Sequence, residues 1–150
     1  DPEAIANWPL TLGRDGARTP MPWCSDSAGQ GFSEAKPWLP IGEDHAALAV
    51  GVQERDGTSM LALTRRLIAL RQSSDALLLG EMRVVAAADN VLAFERAVDG
   101  ERLLCVFNLG EAPVEWRPVQ VTAWRVIEAV GAVDDWRLGG FAGLVARHVA

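Results

Sequence analysis

Between positions 56 and 73 the apolar residues recur at spacings of three and four: Met60, Leu63, Leu67 and Leu70, with Leu61 and Ile68 widening the stripe. That period is the signature of a helix with one apolar side, and Arg65, Arg66 and Gln72 fill much of the polar side. The spacing predicts a helix from Asp56 to Ser73. Asp56, Thr58 and Ser59 are its N-cap candidates, because each can accept from the unpaired first-turn N–H groups. Arg71 near the far end suits the negative pole of the helix dipole.

Beyond Gly80 the pattern shortens to apolar runs separated by turn signals, the spacing of an antiparallel β-sandwich or barrel. The predicted strands are Met82–Ala87, Val91–Arg96, Leu103–Asn108, Val114–Trp116, Thr122–Ile127 and Leu144–His148. Asp99-Gly100 between the second and third is a strong hairpin signal. Residues 1–55 show neither period. Pro2, Pro9, Pro20, Pro22, Pro37 and Pro40 forbid long regular elements there, since each lacks a donor and restricts its predecessor. Trp8, Trp23, Phe32 and Trp38 are too much aromatic surface for a disordered tail. The segment therefore reads as an ordered loop system lying on a scaffold outside this chain.

Composition narrows the classes. The chain has 150 residues, 49% of them apolar and 23% charged, which suits one ordinary folded domain. A net charge of −6 argues against nucleic acid and against an anionic membrane surface as partners. No apolar run reaches the roughly 20 residues of a membrane span. Cys24 and Cys105 stand in no metal or redox spacing and point to a reducing, cytoplasmic compartment. The first residue is Asp1, with no leader pattern before it, so the chain is expected to come from something longer.

Little of the expected chemistry is motif-borne. His45 and His148 have no ligand-spaced neighbours, and neither a metal nor any cofactor is expected. No nucleophile elbow, phosphate loop or dinucleotide fingerprint occurs. Gly139-Gly140 reads as a turn, and Glu43-Asp44 and Asp134-Asp135 read as solvated acid pairs. Trp116 and Trp124 lie in strand patterns that suit core packing. The loop from Gly13 to Trp23 is different: Arg14, Asp15 and Arg18 are set among residues that restrict the backbone, an arrangement able to aim a guanidinium fork at a ligand. An Arg14–Asp15 pair that only steadies the loop is the simpler reading of those two.

The run Gly13-Arg14-Asp15-Gly16-Ala17-Arg18-Thr19-Pro20-Met21-Pro22-Trp23 is followed by Gly31-Phe32, by Pro37-Trp38-Leu39-Pro40 and by the helix with Leu63-Thr64-Arg65-Arg66-Leu67. In order and spacing this resembles the C-terminal third of α-glucosidases and oligo-1,6-glucosidases of glycoside hydrolase family 13, over most of residues 1–80. Residues 81–150 share only the architecture of their closing sandwich.

The resemblance implies a mainly β fold. A C-terminal antiparallel sandwich at 80–150 would follow the last long loop (1–55) and the last helix and linker (56–79) of a (β/α)8 barrel otherwise missing here. It implies a retaining exo-α-glucosidase acting on short α-glucosides of the maltose or isomaltose type. Arg18 would hold the non-reducing glucose of an oligosaccharide or disaccharide substrate, since a guanidinium donates several bonds in one plane. The two carboxyl groups that retaining glycosidases need would lie upstream, so no catalytic residue is assigned and the chain alone is expected to be inactive. Deprived of its barrel, segment 1–55 is expected to be mobile, to rearrange or to self-associate with a second copy. The competing expectation is a stand-alone carbohydrate-binding module using exposed Trp136 and Trp38, or a purely structural sandwich.

Overall fold

The computed structural model describes residues 2–10 and 13–149; positions 1, 11, 12 and 150, which the expected loop and sandwich spans include, lie outside the described residues. The chain divides into two compact units, Asp1–Arg65 and Arg66–Ala150.

In the first unit, regular structure is limited to short pieces, as its prolines dictate. Helix α1 (Pro2–Ala6) starts on a proline, which is tolerated where no N–H is needed. Single 3-10 turns follow at Asp15–Ala17 and Glu43–His45, then helix α2 (Val50–Gln53). Helix α3 (Met60–Gln72), which starts in the first unit and ends in the second, begins later than the pattern predicts. Of the three cap candidates Ser59 does the work: its Oγ accepts from the Ala62 N–H at 3.2 Å, and the Gln53 Oε1 accepts from the Leu61 N–H at 3.1 Å. Asp56 instead closes a turn of its own, accepting from the Thr58 hydroxyl (2.6 Å) and N–H (2.8 Å), which hold its carboxyl below the usual carboxylate range.

In the second unit, helix α4 (Asp75–Leu78) sits where the sequence predicts only linker. Ser74 caps it, and Glu101 accepts from both the Ser74 hydroxyl (3.0 Å) and the Ala76 N–H (2.9 Å). Strands β1 (Glu81–Ala88), β2 (Val91–Val98), β3 (Glu101–Asn108), β4 (Val114–Glu115) and β5 (Trp124–Val130) follow. The last three are β6 (Val133–Asp134), β7 (Arg137–Leu138) and β8 (Gly143–His148). All pair antiparallel, as a five-stranded sheet ordered β1-β2-β3-β8-β5 and a three-stranded sheet ordered β4-β7-β6. The fold is mainly β, as expected. The Asp99-Gly100 hairpin forms with Val98 opposite Glu101 and Gly100 at φ +79°. The β6–β7 hairpin was not legible, because two-residue strands carry no period.

Side chains of both sheets meet in one apolar core: Val91, Ala93, Leu104, Val106, Leu144 and Ala146 from the large sheet, Trp136 and Leu138 from the small hairpin. Trp116 and Trp124 pack against it half-buried, as their strand positions suggest. Trp136 is only 3% exposed and meets Trp116 edge-on, so the expectation that it forms an exposed sugar platform is wrong: its alternation with Leu138 turns it inward.

Two polar groups hold the edges of this core. Buried Asn108 donates from Nδ2 to the carbonyls of Ala112 and Gly139 (2.8 Å each), and its Oδ1 accepts from the Gly110 N–H at 2.9 Å. Glu95 lies between Arg83 and Arg102, 3.1 Å from each. Partial burial raises its pKa and the two guanidinium groups lower it by more, so it stays below the usual carboxylate range.

Asn108→Leu is expected to cost about 2–4 kcal/mol in denaturant unfolding, because it removes three part-buried side-chain hydrogen bonds to the backbone at about 1 kcal/mol each. Because the folded pKa of Glu95 is depressed, its contribution is complete above the unfolded value and lost as pH falls through the folded one. Glu95→Gln is therefore expected to lower Tm at neutral pH, with the difference from wild type fading as pH drops below about 4.

Candidate functional site

The Gly13–Trp23 loop owes its shape to backbone hydrogen bonds more than to packing. Ala17 N–H donates to the Arg14 carbonyl (3.1 Å) and Arg18 N–H to that of Asp15 (2.9 Å), forming the single 3-10 turn. The Thr19 hydroxyl reaches back to the Gly16 carbonyl at 3.4 Å. Pro20, two residues beyond Arg18, is buried. From there the chain is stitched on two sides. Trp23 and Cys24 N–H both donate to the Gln30 carbonyl (2.8 and 3.1 Å), while the Pro22 and Trp23 carbonyls accept from Val50 and Gly51 N–H (2.9 and 3.0 Å).

Arg18 is 43% exposed in its side chain, with Nη1 3.9 Å from the Asp15 carboxylate. The negative partner steadies the guanidinium while the group remains within reach of solvent. Arg14 pairs with Glu3 at 3.8 Å. Among the described residues Asp15 is thus coupled to Arg18, three positions on, where adjacency alone suggested Arg14. A turn of 3-10 pitch eclipses residues three apart, which is the spacing of Asp15 and Arg18.

Sequence reasoning missed Gln30. It reads there as part of a turn-forming Gly29-Gln30-Gly31 cluster, yet the side chain is buried and its Oε1 has no hydrogen-bond partner among the described residues. Its backbone is left-handed (φ +50°), followed by Gly31 at φ +73°. A Cβ on Gly31 would stand 3.1 Å from both the Cys24 sulfur and the Trp23 Cβ. Such adjacent positive-φ residues are signalled only by the glycines flanking Gln30.

The other candidates stay outside any shared site. His45 accepts from the Gly42 N–H at 3.4 Å, and His148 lies edge-on to Trp124. Asp134 and Asp135 are exposed at the β6–β7 turn, where Asp135 pairs with Arg117 at 3.0 Å. Trp38 is 80% exposed. Cys105 is buried, which pushes its thiol up to about 11, with Arg96 opposing only in part; Cys24 is half-buried beside the Ser27 hydroxyl at 3.1 Å.

Residues 1–80 match the family described as alpha-amylase, catalytic domain. A probable alpha-glucosidase of Rhizobium meliloti is 45% identical over 111 residues, which cover 74% of this chain and 20% of that protein. A probable oligo-1,6-glucosidase of Bacillus subtilis is 37% identical over 108 residues, covering 70% and 19% respectively. Among solved structures, an alpha-glucosyl transfer enzyme superposes with a TM-score of 0.83 at 38% identity, over 99% of this chain and 29% of its own. The chain thus spans about a fifth of the length of the curated relatives it matches.

Gly31→Ala is expected to strain the 22–31 turn by about 1–2 kcal/mol. Limited proteolysis should cut between Cys24 and Gly31 faster in that variant than in wild type.

Proposed function

The chain belongs to the alpha-amylase family, and from that premise we propose that it is the C-terminal part of a retaining exo-α-glucosidase acting on short α-glucosides. The observation that carries the reading is the Arg18–Asp15 pair on a doubly stitched loop inside the family-matching segment. In this reading residues 1–55 are the loop system after the last barrel strand, 56–79 the final helix and linker, and 80–150 the closing sandwich. Arg18 donates in-plane hydrogen bonds to hydroxyls of the terminal glucose, and Asp15 keeps the guanidinium from swinging away. The catalytic carboxylates belong to the rest of the enzyme, and the chain alone is inactive.

Exposed apolar surface supports a role as part of a larger body. Trp8, Trp23, Phe32 and Trp38 are largely exposed, and α3 buries none of its residues although it carries the apolar stripe read from the sequence. Surface of this kind marks a face that packs on something else. In the whole enzyme that partner is the barrel; in the isolated chain, self-association through the same face is the corresponding proposal. Two free cysteines fit a cytoplasmic location. Among the described residues no helix is long and apolar enough to cross a membrane.

A second reading has support of its own. The similarity to an alpha-glucosyl transfer enzyme extends over nearly the whole chain, and in this reading the glucosyl group passes from the enzyme to a sugar acceptor instead of water. Analysis of the products formed from maltose or sucrose separates the two, since hydrolysis releases glucose and transfer gives a new disaccharide.

In the full-length enzyme, Arg18→Ala is expected to lower kcat/KM by roughly 30- to 1,000-fold, about 2–4 kcal/mol for two charge-assisted hydrogen bonds. Arg18→Lys should recover only part of this, because a single ammonium cannot reproduce the planar fork. Near-normal kinetics in Arg18→Ala would remove this arginine from the site.

A further inference from the structure

Strand β2 carries charge where its alternation calls for core. Glu95 follows Val91 and Ala93 at even spacing and so stands on their face of the sheet. Its side chain is only 12% exposed, gripped by Arg83 directly opposite on β1 and by Arg102 on β3. These three floor an open groove of about 450 Å³ on the second unit, within the range of about 300–1,000 Å³ typical of small-molecule sites.

The walls are aromatic and amphipathic. Trp124 is held with the Arg102 guanidinium 5.5 Å over its ring and His148 edge-on at 5.1 Å. Trp116 is braced edge-on by Trp136, with ring centroids 6.5 Å apart. Both indoles are therefore fixed before any ligand arrives, while the rim residues Val119 and Gln120 are exposed, Val119 completely.

Charge decides what such a groove accepts. Arg83 and Arg102 share Glu95, and Arg117 is bonded to Glu115 (2.9 Å) and Asp135 (3.0 Å), so three guanidinium groups meet three carboxylates. An anion finds no net positive field there, and a cation no net negative one. What the groove offers is planar N–H donors, carboxylate and amide acceptors and two half-buried indoles. That set matches a molecule with many hydroxyls and apolar C–H faces.

We propose that this groove, formed by Glu95 with Arg83 and Arg102 between the indoles of Trp116 and Trp124, binds a neutral oligosaccharide. The ligand class follows from the groove itself; the choice of an α-glucan as first probe rests on the glucosidase reading.

The test is calorimetric titration of the full-length protein with sulfur-linked maltotriose and, separately, sulfur-linked cellotriose, with a monosaccharide inhibitor saturating the catalytic site. Wild type should show saturable binding of at least one probe, with an affinity that does not change between low and high salt. Arg83→Ala combined with Gln120→Ala should weaken it at least about five-fold, while kcat/KM on a small chromogenic α-glucoside stays unchanged. Val119→Glu, at a fully exposed position where folding is insensitive to the change, should weaken it as well. Absence of saturable binding for both trisaccharides, or equal affinity in wild type and both variants, overturns the proposal. Strong salt dependence overturns its neutral-ligand assignment. Groove binding in a protein whose Arg18→Ala kinetics are normal would leave the groove standing and remove only the role of Arg18.

Discussion

Burial of Trp136 and Leu138 against Val91, Ala93, Leu104 and Leu144 is the contact that makes a sandwich of the second unit. A five-stranded sheet with one uncovered apolar face would be a liability in water, and the small β4-β7-β6 sheet is what covers that face. The cover is short: β6 and β7 have two residues each, too few for their own ladder to hold them. Their position depends on the buried indole and on Asn108, whose side chain ties the end of β3 to the carbonyls of Ala112 and Gly139. Wherever this cover ends, charge takes over, and the Arg83–Glu95–Arg102 cluster occupies the same face of the sheet that is apolar under Trp136.

The first unit is held by a different force. Ala49, Pro20 and Gln30 are its buried residues among those described, too little apolar surface to account for its order. The backbone compensates. Turn hydrogen bonds at 14–18, the double stitch of Trp23 and Cys24 to Gln30, and the crossing bonds to Val50 and Gly51 define the path around Arg18. This division suits a unit whose large aromatic side chains face outward. The hydrogen bonds set the geometry of the arginine loop, and Trp8, Trp23, Phe32 and Trp38 stay exposed.

The functional reading lives on that division. A guanidinium on a hydrogen-bonded loop, with a carboxylate one 3-10 turn away, is positioned but still accessible. The charged groove of the second unit is built on the opposite logic: rigid strands place Glu95, and arginines from both neighbouring strands neutralise it. One site takes its precision from turns, the other from register.

Much of this was determined by the sequence alone. The 3.6-residue period of Met60–Leu70 specifies α3, six of the eight strands follow from alternation and turn residues, and Asp99-Gly100 specifies its hairpin, because each signal is local. The arginine loop was legible too, through prolines and glycines that restrict the backbone one residue at a time. Tertiary structure decided the rest. Trp136 turns inward because the small hairpin closes over the core, a long-range event that no local pattern encodes. Asp15 meets Arg18 through the pitch of a turn. Gln30 is buried by the chain that wraps it, and Glu95 becomes half of a groove only when β1 and β3 bring arginines to either side. A side chain's neighbours across strands are set by register and closure, which belong to the folded chain as a whole.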